Sequence, residues 1–152
     1  MTGLYEEHAQ ALFTYALALT RDPTGAEDAV HEAICRVLSL GKLPGELRPY
    51  LFRCVRNAAV DAWRRQKPSE VAGILDLVAA DDDTFDRALC AQIERFLFEL
   101  PQDEMETILL HIFDGLSFRE VASVKQVPLN TATSWYRRGV QKLRERIRGG
   151  GP

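Results

Sequence analysis

Two stretches of the chain set flat rings beside guanidinium groups. One holds Thr131, Ser134, Trp135, Arg137, Arg138 and Lys142; the other holds Arg53, Arg56, Asn57, Trp63, Arg64 and Arg65. Arginine can donate two parallel hydrogen bonds to guanine or grip a phosphate, an asparagine amide can pair with a base edge, and a ring can stack on an unpaired base. This is the chemistry of recognition rather than of bond making. His31 and Cys35 stand at i, i+4 and can share a metal ion, but no third or fourth ligand lies nearby, so a surface histidine and a core cysteine are expected. His8 and His111 have no partner visible in the sequence, and neither a glycine-rich phosphate loop nor a nucleophile motif occurs. No enzyme activity, metal site or cofactor is therefore expected.

Charge supports the same chemistry only when it is counted locally. The 152-residue chain has a net charge of −3. Residues 1–66 are neutral, residues 67–106 hold 3 basic and 11 acidic groups, and residues 107–152 hold 8 basic and 3 acidic. A polyanion responds to the local field, so the basic C-terminal segment matters more than the total. With 46% hydrophobic and 27% charged residues the chain has the composition of a folded protein. No run approaches the roughly 18 apolar residues of a membrane span, and the start lacks the basic-then-apolar pattern of a signal peptide. A cytoplasmic protein without membrane insertion is expected. Cys35, Cys54 and Cys90 are odd in number and widely spaced, which predicts buried thiols rather than disulfides.

The elements that must position these residues are all helical in period. Leu4, Leu12, Tyr15, Ala16 and Leu19 mark a first helix stopped by Asp22-Pro23. A second is expected to begin at Thr24 with Glu27 reaching back in a capping box, its inner face being Ala26, Ala29, Val30, Ala33, Ile34 and Val37. A third runs from about Leu47 to Gln66, with Pro49 tolerated in the first turn. Residues 67–84 carry a proline, a glycine and three consecutive aspartates and read as a linker.

Beyond it a helix is expected over about 85–100. Another starts at Pro101 with Met105, Ile108, Leu109, Ile112 and Phe113 inward, and closes near Gly115. Ser117 and Glu120 form a capping box for a short helix to about Lys125, Pro128 breaks it, and Asn130 is expected to cap a final helix to about Arg148. Short helix, tight turn and basic helix follow one another as in a helix-turn-helix. The predicted fold is all-α, with two small helical domains: 1–66, then the linker 67–84, then 85–148, with a tail at 149–152.

Helical wheels then assign faces. On the last helix Ala132, Tyr136, Val140, Leu143 and Ile147 share a core stripe, while Ser134, Arg138, Gln141 and Glu145 point away and Thr131, Trp135 and Arg137 lie on the flanks. Arg144, Arg146 and Arg148 also suit simple complementation of the helix dipole. On the third helix Leu47, Leu51, Val55, Ala58 and Ala62 face inward. Arg53, Asn57, Val60 and Arg64 lie opposite, with Arg56, Trp63 and Phe52 on one border.

The stretches AEDAVHEAICRVL (26–38), LRPYLFRCVRNAAVDAWRR (47–65) and LPQDEMETILLHIFDGLSFREVASVKQVPLNTATSWYRRGVQKLRE (100–145) resemble, in order and spacing, regions 2 and 4 of bacterial sigma factors of the extracytoplasmic-function (ECF) type, in the sigma-70 family. The resemblance implies a dissociable, non-enzymatic subunit that directs core RNA polymerase to promoters. It further implies that Glu27, Asp28, Glu32 and Arg36 bind the polymerase largest-subunit coiled coil, and that region 4 binds the flap of the second-largest subunit. Arg53, Arg56, Asn57, Trp63, Arg64 and Arg65 become candidates for the −10 element, and Thr131, Ser134, Trp135, Arg137, Arg138 and Lys142 for the −35 element. An anti-sigma factor is an implied partner.

Thr133 and Trp135 stand where the family often has basic residues, which leaves room for an altered −35 motif. The alternative reading is a sigma-like decoy that binds an anti-sigma factor without binding promoter DNA. Such a mimic would be expected to lose basic groups, whereas this chain keeps Arg53, Arg56, Arg64, Arg65, Arg137 and Arg138.

Overall fold

The computed structural model describes residues 2–42, 45–65 and 87–149, with side chains from residue 8 onward except those of residues 63, 65 and 87–91. The described residues form helices and turns, with no strand among them. The chain divides into two units, residues 1–72 and 73–152. The linker proposed at 67–84 and the tail lie outside the described residues, apart from Gly149.

In the first unit, α1 (Thr2–Thr20), α2 (Pro23–Leu38) and α3 (Leu47–Arg65) pack mutually. Their core is Leu12, Tyr15, Leu17, Ala26, Ala33, Val37, Leu51, Phe52 and Val55, all nearly or wholly buried. Tyr15 and Phe52 meet with ring centroids 5.8 Å apart. Phe52 is 1% exposed, so a residue assigned to the border of α3 belongs to its core. The start of α2 also differs from expectation. The helix begins at Pro23, not Thr24, and its cap is Asp22, whose carboxylate accepts the Gly25 N–H at 3.0 Å. Proline needs no partner for a missing N–H and has a φ suited to a first turn, so it occupies N1 and moves the cap one residue upstream of the Thr24–Glu27 box. Ile34 is half-buried, and Cys35 is exposed rather than in the core.

The second unit is built around its last helix. It comprises α4 (Arg87–Glu99), α5 (Gln102–Ile108), α6 (Phe118–Lys125) and α7 (Leu129–Gly149), and α4, α5 and α6 each pack on α7. The spacing in the α5 region holds for Met105, Ile108 and Leu109, all buried, but fails at Ile112, which is 52% exposed. The cause is a π-helical turn over Leu109–Phe113 that widens the helix and rotates later residues out of register, placing Leu110 inside instead. Gly115 then ends the segment at a φ of 72°, a conformation that glycine adopts without a Cβ penalty.

The Ser117 capping box forms as expected: Ser117 Oγ accepts the Glu120 N–H at 3.1 Å, and the Glu120 carboxylate accepts the Ser117 N–H at 2.9 Å. Gln126 closes α6 in the left-handed region, at a φ of 57°. The expected cap at Asn130 is displaced, because α7 already starts at Leu129 and the Pro128 carbonyl accepts from the Thr131 and Ala132 N–H groups. Gly139 marks the closest approach of α5 and α7: a Cβ there would lie 2.7 Å from Ile108 Cδ1 and 3.2 Å from Glu104 Cβ. Ile147 is 51% exposed, so the core stripe of α7 ends before it.

Candidate nucleic-acid interfaces

In the first unit, α2 and α3 together line an open groove of about 490 Å³. α3 contributes Arg53, Arg56, Asn57 and Arg64, and α2 contributes Glu32 and Arg36. Four of the proposed −10 residues thus share one recess with two of the proposed polymerase contacts. Trp63 and Arg65 have side chains outside the described residues. Asn57 and Arg64 are exposed, and Arg53 and Arg56 are half-buried. Glu32 and Asp61 also line the groove, so its cationic excess is two charges and its character is mixed. At its floor burial pushes the Cys54 thiol up from its ordinary 9.0, while a hydrogen bond with Tyr50 and the charges of Arg36 and Arg53 pull it partly back.

The other two proposed polymerase contacts, Glu27 and Asp28, lie apart from this groove. They line a shallow recess of about 670 Å³ between α1 and α2, with Phe13, Val30 and Ile34. His31 lines the same recess, with its Nε2 3.6 Å from Cys35 Sγ on the exposed face of α2. Among the described residues no group of three or more His, Cys, Asp or Glu gathers as metal ligands.

In the second unit, α6 and α7 are joined by a tight turn, and the N-terminal half of α7 presents Arg137 and Arg138 exposed, with Thr131, Ser134 and Trp135 half-buried. Tyr136 packs, as its place on the wheel requires. It meets the Phe118 and His111 rings edge-on, each at 5.0 Å, while His111 stacks on Phe118 at 4.1 Å. His111 Nδ1 donates to the Leu116 carbonyl at 2.7 Å, an arrangement that fixes the ring and closes the π-helical turn onto the helix-turn-helix.

The structure adds a group of residues that the sequence reading missed. Lys125, its side chain 2% exposed, pairs with Glu106 at 2.9 Å and Asp103 at 2.8 Å, and its ammonium stands 5.5 Å from the centre of the Trp135 ring. Trp135 is thereby held against the end of α6. Lys142, one of the proposed −35 residues, pairs with Glu104 of α5 at 2.9 Å. α5 is therefore an acidic strut that neutralises one lysine on each helix of the pair. In the sequence these acids are visible only as dipole-complementing charges near a helix start. Their lysine partners lie 22 and 38 residues away, beyond the reach of local pattern.

With this geometry in place, comparison with known proteins is informative. Residues 4–68 match Sigma-70 region 2 and residues 90–143 match Sigma-70, region 4. The chain is 28% identical over 153 residues to the ECF RNA polymerase sigma factor SigL of Mycobacterium tuberculosis, covering 95% of this chain and 86% of that protein. It is 26% identical over 141 residues to the ECF RNA polymerase sigma factor SigW of Bacillus subtilis, covering 81% and 75%. Among solved structures, CnrH in complex with the cytosolic domain of CnrY aligns with a TM-score of 0.73 at 22% identity, over 99% of this chain and 88% of that one. The sigma factor RpoE of Bartonella quintana, solved with the anti-sigma factor NepR, aligns with a TM-score of 0.69 at 19% identity, over 97% and 98%. Region 2 and region 4 in one chain, in that order and each folded as a separate helical unit, make this protein a member of the sigma-70 family of the ECF type.

Proposed function

We propose that the chain is an alternative sigma factor, a subunit that binds core RNA polymerase and directs transcription initiation at its own promoters. The observation that carries this reading is the pairing of two cationic surfaces in one chain. The α2–α3 groove gathers Arg53, Arg56, Asn57 and Arg64, and the α6–α7 helix pair turns Arg137 and Arg138 outward. In the first, guanidinium groups suit the phosphates of melted DNA and the Asn57 amide suits an extruded base of the −10 element, whose unstacking costs a few kcal/mol. In the second, the N-terminal half of α7 enters the major groove at the −35 element, where Arg137 and Arg138 read guanine or grip phosphate. Thr131, Ser134 and Trp135 complete that face.

The exposed side of α2, with Glu27, Asp28, Glu32 and Arg36, docks on the largest-subunit coiled coil, and region 4 engages the flap of the second-largest subunit. The protein acts in the cytoplasm, where polymerase and DNA are found, and an anti-sigma factor holds it inactive, as the solved complexes of similar folds suggest. No helix among the described residues is long and apolar enough to cross a membrane. The proposed domain limits are 1–66 and 85–148, with 67–84 as the linker.

The test is run-off transcription from a genomic fragment library with core polymerase of the source organism, with and without the protein. New transcripts are expected only with it. Replacing Arg53 and Asn57, or Arg137 and Arg138, by Ala is expected to abolish them. A folded protein that yields no new transcripts with active core would instead favour the decoy reading, in which its ligand is an anti-sigma factor alone.

A further inference from the structure

The cations of α7 fall into two kinds according to what holds them. Lys142 is paired with Glu104, Arg146 is paired with Glu99 and lies over the Phe96 ring, and Arg138 Nε reaches the Ser134 carbonyl at 3.4 Å. Arg137, Arg144 and Arg148 are exposed and have no hydrogen-bond or ion-pair partner among the described residues. At about 100° per residue, Arg144 and Arg148 each fall within about 20° of Arg137 around the helix. The three form one row about 16 Å long at a rise of about 1.5 Å per residue. Gln141 lies about 40° from Arg137 on one side of the row, and Ile147, which is 51% exposed, lies about 60° from Arg144 on the other. Dipole complementation accounts for an arginine in the last turn but not for three aligned on one flank from three turns earlier.

We infer that Arg137, Arg144 and Arg148 form a phosphate-gripping edge that follows the backbone of one DNA strand past the bases read by the first half of α7. This rests on the promoter-binding reading. A helix lying in a groove shows one flank to each sugar-phosphate wall. Here the flank bearing Lys142 and Arg146 is neutralised by Glu104 and Glu99, whereas the opposite flank keeps its charge for a ligand. A DNA backbone suits this edge better than an acidic protein, because protein interfaces are built around clusters of apolar and aromatic anchors and the row itself consists of three arginines with Ile147 at its margin, while DNA interfaces are polar and cationic. The row also begins at Arg137, within the segment that faces the bases.

The experiment measures binding of reconstituted holoenzyme to a labelled promoter duplex recovered in the run-off assay, across a salt series. Each phosphate contact contributes about 0.9 to the slope of log affinity against log salt. Between about 50 and about 200 mM salt, the double variant Arg144→Ala, Arg148→Ala is therefore expected to lose roughly 12-fold less affinity than the unmodified chain, and to bind more weakly at the lower salt. The double variant Arg144→Lys, Arg148→Lys should recover the parent slope, and Arg146→Ala, which removes a charge from the neutralised flank, should leave it unchanged. An unaltered slope in the double alanine variant would overturn the inference. So would intact DNA binding combined with transcription that fails only when a second protein is required, which would make the row a docking site for an acidic protein. If unmodified holoenzyme bound no duplex, the promoter-binding reading itself would fall, and the parent chain alone would reveal it.

Discussion

The two units solve the problem of charge in opposite ways. Among its described residues, the first keeps a core of aliphatic and aromatic side chains with Thr14 and Thr20 as its buried polar groups, and leaves its ionic groups outside, several of them in the α2–α3 groove. The second buries Glu94, Glu104, Glu106 and Lys125 within its helical packing. The acids of α5 pair with Lys125 of α6, whose side chain is 2% exposed, and with Lys142 of α7, whose side chain is 46% exposed. A lysine or arginine on such a helix therefore says little about ligand binding until its intramolecular partner has been sought. Lys142 and Arg137 look alike in sequence and differ in this respect.

The largest effect is expected where that device is broken. Lys125→Ala removes the ammonium that pairs with Glu106 at 2.9 Å, a residue that is 0% exposed and also accepts a hydrogen bond from Gln102. Stripping one partner from a buried pair costs about 3–5 kcal/mol, a loss expected to fall on the second unit, which contains the pair. Circular dichroism melting should then show early loss of part of the helical signal. The double variant Lys125→Met, Glu106→Leu should restore most of it, because apolar groups of similar volume need no countercharge. Gly139→Ala comes next, at about 1–3 kcal/mol, since its Cβ would press on Ile108 and Glu104 at the closest approach of α5 and α7. The intrinsic gain of about 1 kcal/mol for alanine in a helix offsets part of this. Denaturant midpoints with an unchanged slope would measure the remainder.

The helix caps test both units with the same chemistry. Asp22→Ala at the start of α2 and Ser117→Ala at the start of α6 should each cost about 1 kcal/mol. Thr24→Ala should cost less than Asp22→Ala, which checks the reassigned cap directly. Equal losses at both positions would restore the Thr24 box.

These caps also show what was legible in the sequence. Helix order, the all-α class, the Ser117 box and the inward stripes of α2, α3 and α7, apart from Phe52 and Ile147, follow from local spacing, and local spacing is what the sequence displays. The groove residues Arg53, Arg56, Asn57 and Arg64 were also legible, because one helix carries them all. What stayed hidden arises from competition or from distance. Asp22 and Thr24 are both competent caps, and the choice between them depends on where Pro23 settles. A π-helical turn has no reliable pattern of its own, so Ile112 and Leu110 exchange places without warning. Lys125 and Lys142 meet their acids only after the chain has folded back.

The smallest effect concerns the two cysteines whose side chains are described. Cys35 and Cys54 lie on adjacent helices of the first unit, one exposed and one at the floor of the groove. A thiolate is the reactive form, so burial slows Cys54 both by shielding it and by holding its proton. Alkylation at mildly alkaline pH, read by peptide mapping, should modify Cys35 well before Cys54. The sign of the linked stability effect follows from the same shift. The folded state holds the Cys54 proton more tightly than the unfolded state does, so its contribution is fully present below the ordinary value of 9.0 and is lost as pH rises through the raised folded value. Cys54→Ser should flatten this alkaline loss. If melted promoter DNA occupies the α2–α3 groove as proposed, adding promoter DNA to holoenzyme should slow Cys54 further and spare Cys35, which is not among the residues lining that groove. Equal slowing of both thiols when DNA is added would mean that the DNA is not held in that groove.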